Sequence, residues 1–173
     1  PFVPHKLRAT GYEPFIHTIR AILHHAGGLR IDHVMGLFRL WWVPQGGQPK
    51  DGAYVRYVAE ELLAIIAIES QRANAIVVGE DLGTVEPGVR EMMDQHNVLS
   101  YRLLWFEEEP PAEYPEKALA AITTHDLPTL AGVWTGADLE AQEEFSVRAD
   151  PAAQNQFRRK LIETSGLDHD ADV

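Results

Sequence analysis

The sequence predicts an α/β fold in which parallel strands are joined by crossover helices. Three observations carry that prediction. Helical and extended stretches alternate along most of the chain, the pattern of strands that return in parallel through a helix. The run Ala75-Ile76-Val77-Val78 is short, uninterrupted and largely β-branched, which suits a strand covered on both faces. Three extended stretches end in a carboxylate, at Asp32, Glu80 and Asp126. Parallel α/β folds bind their ligands at that end of the strand.

Taken in order, residues 14–26 read as a helix. Ile16, Ile19, Ile22 and Leu23 recur at helical spacing, and Gly27-Gly28 stops it. A strand follows over 29–33. Residues 34–52 read as a loop, since Pro44, Gly46, Gly47 and Pro49 interrupt it. A second helix is expected from 51 or 52 to about 72, with Leu62, Leu63, Ile65, Ile66 and Ile68 on a broad buried face. The strand over 75–78 ends in Gly79-Glu80-Asp81-Leu82-Gly83. Pro87 stands where a helix start tolerates it, so 88–95 reads as a short helix. A third strand is expected over 99–106. A fourth begins at about residue 120 and ends in Thr123-Thr124-His125-Asp126. From 137 the chain is polar and helical, and Pro151 opens a last helix to about 165. There is no internal repeat and no low-complexity segment.

The 173 residues, 45% apolar and 24% charged, suffice for a domain with its own core. A net charge of -11 argues against nucleic acid or an anionic membrane surface as partner. Without cysteine, disulfides and thiolate metal sites are excluded. No apolar run reaches membrane-spanning length and no signal peptide is visible, so a cytoplasmic location is expected. The chain opens on Pro1 rather than Met and closes on Asp168-His169-Asp170-Ala171-Asp172-Val173. The expectation is a piece of a longer protein.

Arg30 and Asp32 are two apart, and on a strand that spacing puts both on one face. A guanidinium beside a carboxylate favours its ionised form. An acid so placed suits a nucleophile, a metal ligand or a structural ion pair. Glu80 follows an apolar strand and stands next to Asp81. Desolvation and a like charge both favour a carboxyl that keeps its proton, as a proton donor must. Acids in unlike surroundings, a third carboxylate and no evident nucleophilic serine point to glycosyl transfer. Its oxocarbenium-like transition state is attacked or stabilised by one carboxylate and protonated by another.

Arg30-Ile31-Asp32-His33, Gly79-Glu80-Asp81-Leu82-Gly83 and Thr124-His125-Asp126 resemble three successive motifs of the amylomaltases. These are the 4-α-glucanotransferases of glycoside hydrolase family 77, relatives of the α-amylases. The resemblance continues in Leu37-Phe38-Arg39-Leu40-Trp41-Trp42-Val43-Pro44, in Gly52-Ala53-Tyr54-Val55-Arg56-Tyr57 and through Leu127-Pro128-Thr129-Leu130. It runs from about residue 15 to 134 and is similar to the bacterial maltodextrin-metabolising type.

The resemblance implies a (β/α)8 TIM barrel and retaining transfer of an α-1,4-glucan segment between maltodextrins, with glucose or a maltodextrin as acceptor. It implies Asp32 as the nucleophile, Glu80 as the general acid/base and Asp126 as the stabiliser of the distorted sugar. Arg30 would orient Asp32, and His125 would hydrogen-bond sugar hydroxyls. No metal and no organic cofactor is implied. A complete barrel takes roughly 250 residues, so the chain is expected to hold roughly strands four to seven with their helices. Residues 1–173 would then be a fragment of one catalytic domain, with no second complete domain. Its open edges would favour self-association, and the isolated fragment is expected to be inactive. Retaining chemistry places the carboxyls of Asp32 and Glu80 about 5–5.5 Å apart.

Other readings attach to the same residues. A metal-dependent barrel hydrolase would use His33, His125 and the acids, but the usual His-x-His on an early strand is missing. A third reading is a non-catalytic piece that binds sugar weakly or associates with its own copies. His24-His25 suit a helix end. Trp41, Trp42, Tyr54, Tyr57 and Trp105 suit either packing or sugar stacking, with Trp105 placed where a side chain could face the site. Glu107-Glu108-Glu109 and Glu143-Glu144 read as solvated charge. Asp81 reads as a partner of the reactive acids rather than one of them. The role of His33 stays open.

Overall fold

The computed structural model describes residues 1–145 and 150–166. The elements in chain order are α1 (Pro4–Ala9), α2 (Glu13–Leu23), β1 (Gly28–Ile31), β2 (Arg39–Trp42), β3 (Ala53–Arg56), α3 (Ala59–Ala73), β4 (Ile76–Gly79), α4 (Val89–Gln95), β5 (Val98–Leu103), β6 (Ala118–Ala121), α5 (Leu130–Thr135), α6 (Ala137–Glu144) and α7 (Pro151–Ser165). The main sheet has the order β1-β4-β5-β6. β1 pairs with β4 in parallel, and β4 pairs with β5 in parallel. The fold is therefore α/β with a parallel sheet, as the alternation of elements predicts. The closing residues from 167 lie outside the described ones.

Two sequence expectations are corrected. Residues 34–52 are not a continuous loop. A 3-10 turn over Val34–Leu37 leads into β2, which pairs antiparallel with β3 as a separate hairpin. Its strands are held by side chains: Trp41 faces Tyr54 with ring centroids 4.9 Å apart, and the Arg39 guanidinium lies 4.0 Å from the Tyr54 ring centre. The Pro and Gly residues that read as a loop supply the connection between these strands. The helix expected from 51 or 52 starts only at Ala59, because 53–56 are taken by β3. A further helix, α1, was not expected; Pro4 occupies its first turn, where a missing N–H costs nothing.

The chain divides into two compact units, Pro1–Tyr101 with Pro115–Leu119, and Arg102–Tyr114 with Ala120–Val173. In the first, the core is built from Val34, Leu63, Ile66, Val77, Met93 and Val98, all essentially buried. Ile68 and Ile76, expected inside, are 49% and 61% exposed. α2 and α3 are joined by a charge cluster around Glu69, which is buried. Arg20 reaches it with two hydrogen bonds of 2.6 and 2.8 Å, and Arg72 adds a third of 2.8 Å. The Arg20 bonds, chiefly, hold the Glu69 carboxyl below the usual glutamate range. In the second unit, Leu104, Val133, Phe157 and Leu161 form the core. Trp105 packs there on Phe157, with centroids 4.1 Å apart. Glu107 is not free solvated charge: it pairs with Arg102 at 3.3 Å.

Candidate functional site

The site in the first unit is built at the carboxyl ends of β1 and β4. Arg30 lies opposite Val78 in the parallel register. Ile31 and Gly79 are the last paired residues of the two strands, and Asp32 and Glu80 each follow directly. β1 itself ends at Ile31, so Asp32 opens a turn rather than extending the strand. Arg30 Nη1 donates to Asp32 Oδ1 at 2.8 Å. The Asp32 side chain is 77% exposed and that of Arg30 33%, so the pair points into open space and an approaching ligand can reach the acid.

The turn is shaped by His33. Its φ of 45° and ψ of 65° put a non-glycine residue in the left-handed region, a conformation that costs energy and is often found at functional sites. The consequence appears in the ladder. Glu80 N donates to Ile31 O at 2.9 Å, as the parallel pattern requires, but Glu80 O accepts from Val34 N at 2.9 Å. The regular partner would be His33. The displaced His33 N–H turns instead to the Glu80 side chain and donates to Oε2 at 2.8 Å. Leu82 N donates to Oε1 at 2.8 Å. Both carboxylate oxygens of Glu80 are thus held by backbone. Each keeps a second lone pair for a ligand.

Gly79 makes this approach of strands and helix possible. A Cβ there would lie 2.7 Å from Met93 Cε and 2.7 Å from Val34 Cγ2. Asp81, expected to press its charge on Glu80, is turned the other way. It is fully buried, and its carboxylate accepts from Arg90 Nε, Ser100 Oγ and Tyr101 N at 2.7, 2.6 and 2.7 Å. Asp81 is thus a structural partner, and repulsion between neighbouring acids is not what sets Glu80 apart.

Asp126 and His125 belong to the second unit and are described within it. They stand in the turn after β6, both exposed, with His125 Nε2 3.4 Å from Asp126 Oδ1. The turn is fixed by Thr124 Oγ1, which accepts from Asp126 N at 3.2 Å, and by Thr123 Oγ1, which donates to Pro128 O at 3.0 Å. The structure therefore brings Arg30, Asp32, His33 and Glu80 together, and holds His125 with Asp126. Among the described residues, no group of three or more His, Asp or Glu side chains is arranged to hold a metal ion. Trp105, which suits either packing or sugar stacking, is partly buried in the second unit and packs on Phe157. The participation of the His33 backbone was not legible, because a left-handed non-glycine residue leaves no compositional mark.

These features define an α/β protein that presents paired carboxylates at the carboxyl ends of adjacent parallel strands. The model of the glycoside hydrolase 77 family, 4-alpha-glucanotransferase, matches residues 1–169, and the chain belongs to that family. It is 43% identical over 161 residues to the 4-alpha-glucanotransferase of Mycobacterium tuberculosis, covering 87% of this chain and 22% of that protein. It is 41% identical over 172 residues to the one from Haemophilus influenzae, covering 96% and 25%. The crystal structure of amylomaltase from Corynebacterium glutamicum superposes with a TM-score of 0.85 at 38% identity, over 96% of this chain and 25% of that one. Amylomaltase from Streptococcus agalactiae, solved with acarbose, shares the fold with a TM-score of 0.67 at 18% identity, over 93% and 35%. The chain spans about a quarter of the length of these two curated relatives. Among the described residues, no helix is long and apolar enough to cross a membrane.

Proposed function

We propose that this chain carries the catalytic acids of a 4-α-glucanotransferase, as roughly strands four to seven of a (β/α)8 barrel. Residues 1–173 are then a segment of one catalytic domain, with no second complete domain. The observation that carries the reading is the placement of Asp32 and Glu80 at the ends of adjacent parallel strands, with unlike partners. Asp32 is open and paired with a guanidinium, as a nucleophile requires. Glu80 is held by two backbone N–H groups at a fixed distance from the strand end.

In the proposed reaction the Asp32 carboxylate attacks the anomeric carbon of a donor maltodextrin. Glu80 protonates the departing glycosidic oxygen, and the donor segment is left as a glycosyl ester on Asp32. The 4-hydroxyl of an acceptor, glucose or another maltodextrin, then gives its proton to Glu80 and displaces Asp32. Two inversions give net retention. Asp126 stabilises the positive charge that develops on the sugar ring, His125 hydrogen-bonds its hydroxyls, and Arg30 holds Asp32. No metal or organic cofactor takes part in this scheme. The setting is cytoplasmic maltodextrin metabolism, and the sheet edges open in this segment are the surfaces through which the isolated piece would self-associate.

The test uses the full-length protein. It is expected to convert maltotriose into glucose and longer maltodextrins with retention of configuration, and Asp32→Asn to abolish the conversion. Undiminished turnover by Asp32→Asn would contradict the assignment.

A further inference from the structure

We infer that Asp81 and Tyr101 are positioning residues for the nucleophile: the buried Asp81 carboxylate fixes Tyr101, and the Tyr101 ring holds the Arg30 guanidinium against Asp32. The inference rests on the proposed role of Asp32 and goes beyond it, to what keeps Asp32 in place.

The need for such a device is visible in the pair itself. Asp32 is mostly exposed and sits past the end of its strand, where, among the described residues, Arg30 Nη1 is the group that holds its carboxylate. Exposed ion pairs are weak, since both side chains lose rotamer freedom when they meet. Arg30 therefore needs its own support. Register supplies it. Arg30 lies opposite Val78, and Val78 opposite Leu99, so Tyr101, two residues on from Leu99, shares a sheet face with Arg30. The guanidinium lies over the Tyr101 ring at 5.6 Å from its centre, within cation–π range. Tyr101 is 8% exposed, so the ring cannot swing away.

Tyr101 is held in turn by Asp81. A fully buried carboxylate is costly unless its oxygens are occupied. Here they are occupied by Tyr101 N, Ser100 Oγ and Arg90 Nε, and Arg90 Nη2 also reaches Asp81 O at 3.1 Å. Two of these donors come from β5 and one from α4. The acid that follows Glu80 thus fastens the end of β4 to the very residue of β5 on which Arg30 rests. Glu80 and Asp81, neighbours in sequence, would serve the two halves of the catalytic pair: one directly, the other through Tyr101 and Arg30.

The test measures steady-state disproportionation by the full-length enzyme. Tyr101→Leu, which keeps most of the volume but removes the ring face, is expected to lower kcat about three- to thirtyfold, the range of a partly desolvated cation–π contact. KM for the glucan is expected to stay within about twofold. Tyr101→Phe, which retains the ring, should restore the rate. In an Arg30→Met background, which removes the cation, Tyr101→Leu should cost little more of the residual rate, because the two act on one pathway. Tyr101→Met serves if the Leu variant does not fold. A Leu or Met variant at wild-type kcat, a Phe variant as slow as Leu, or additive losses with Arg30→Met would overturn the inference. If Asp32→Asn is inactive while Tyr101→Leu is unaffected, the inference falls and the catalytic reading stands. If Asp32→Asn remains active, both fall.

Discussion

The backbone N–H of His33 donates to Oε2 of Glu80 at 2.8 Å, so the residue after Asp32 holds the carboxylate at the end of the neighbouring strand. The two acids are therefore coupled through a backbone bond that needs a left-handed residue at position 33. His33→Pro removes the N–H and locks φ near −65°. It is expected to lower kcat of the full-length enzyme by about a hundredfold or more, the scale of losing a positioned acid/base. His33→Gly keeps both the N–H and the conformation, and should stay within about tenfold of wild type. Steady-state rates on maltotriose check both.

Gly79 precedes the acid and has no room for a side chain. Gly79→Ala forces a methyl group into Met93 and Val34, with an expected loss of about 1–3 kcal/mol of stability, as for other overpacked cores. Thermal denaturation of the variant measures it. Because Val34 also takes the carbonyl of Glu80, the methyl should disturb the acid as well, and kcat should fall while KM changes less.

The cluster around Glu69 predicts a pH dependence. Arg20 and Arg72 hold the folded-state pKa of this carboxyl below the ordinary value of 4.5. A depressed pKa means that the unfolded state binds the proton more readily. The stabilisation is therefore present above about pH 4.5 and is lost as pH falls through the lower folded value. Glu69→Gln should lower the Tm at neutral pH and flatten its fall on the acid side. An unchanged acid limb would show that the cluster contributes nothing.

How far the sequence carries depends on which signal each part leaves. β1 and β4 were legible as apolar runs ending in polar groups, and α2, α4 and α7 as periodic or Pro-opened segments. Their ends were off by a few residues, since β1 stops at Ile31 and leaves Asp32 in a turn. The β2–β3 hairpin was hidden because the stretch between its strands, residues 43–52, is dense in Pro and Gly. What holds it is the Trp41–Tyr54 and Arg39–Tyr54 contacts, which are tertiary and follow no period. Within the site, the Arg30–Asp32 pair was legible from opposite charges two residues apart at a strand end, although Asp32 itself lies in the turn. The orientation of Asp81 was not: neighbouring acids in sequence suggest repulsion, whereas donors from β5 and α4 draw Asp81 into the interior.

Retaining chemistry makes a geometric prediction for the complete enzyme. In a crystal structure of the full-length protein, the carboxyls of Asp32 and Glu80 should lie about 5–5.5 Å apart, or slightly more without substrate. A separation beyond about 9 Å would leave no route to a covalent intermediate.

The most direct test of Asp32 as nucleophile is to trap the intermediate. In the full-length Glu80→Gln variant the second step lacks its general base, so an activated donor such as an α-maltosyl fluoride should load the enzyme faster than an acceptor unloads it. Digestion and mass spectrometry are expected to find one glycosyl ester, on Asp32. A glycosyl group on any other residue, or turnover with inverted configuration and no adduct, would contradict the account.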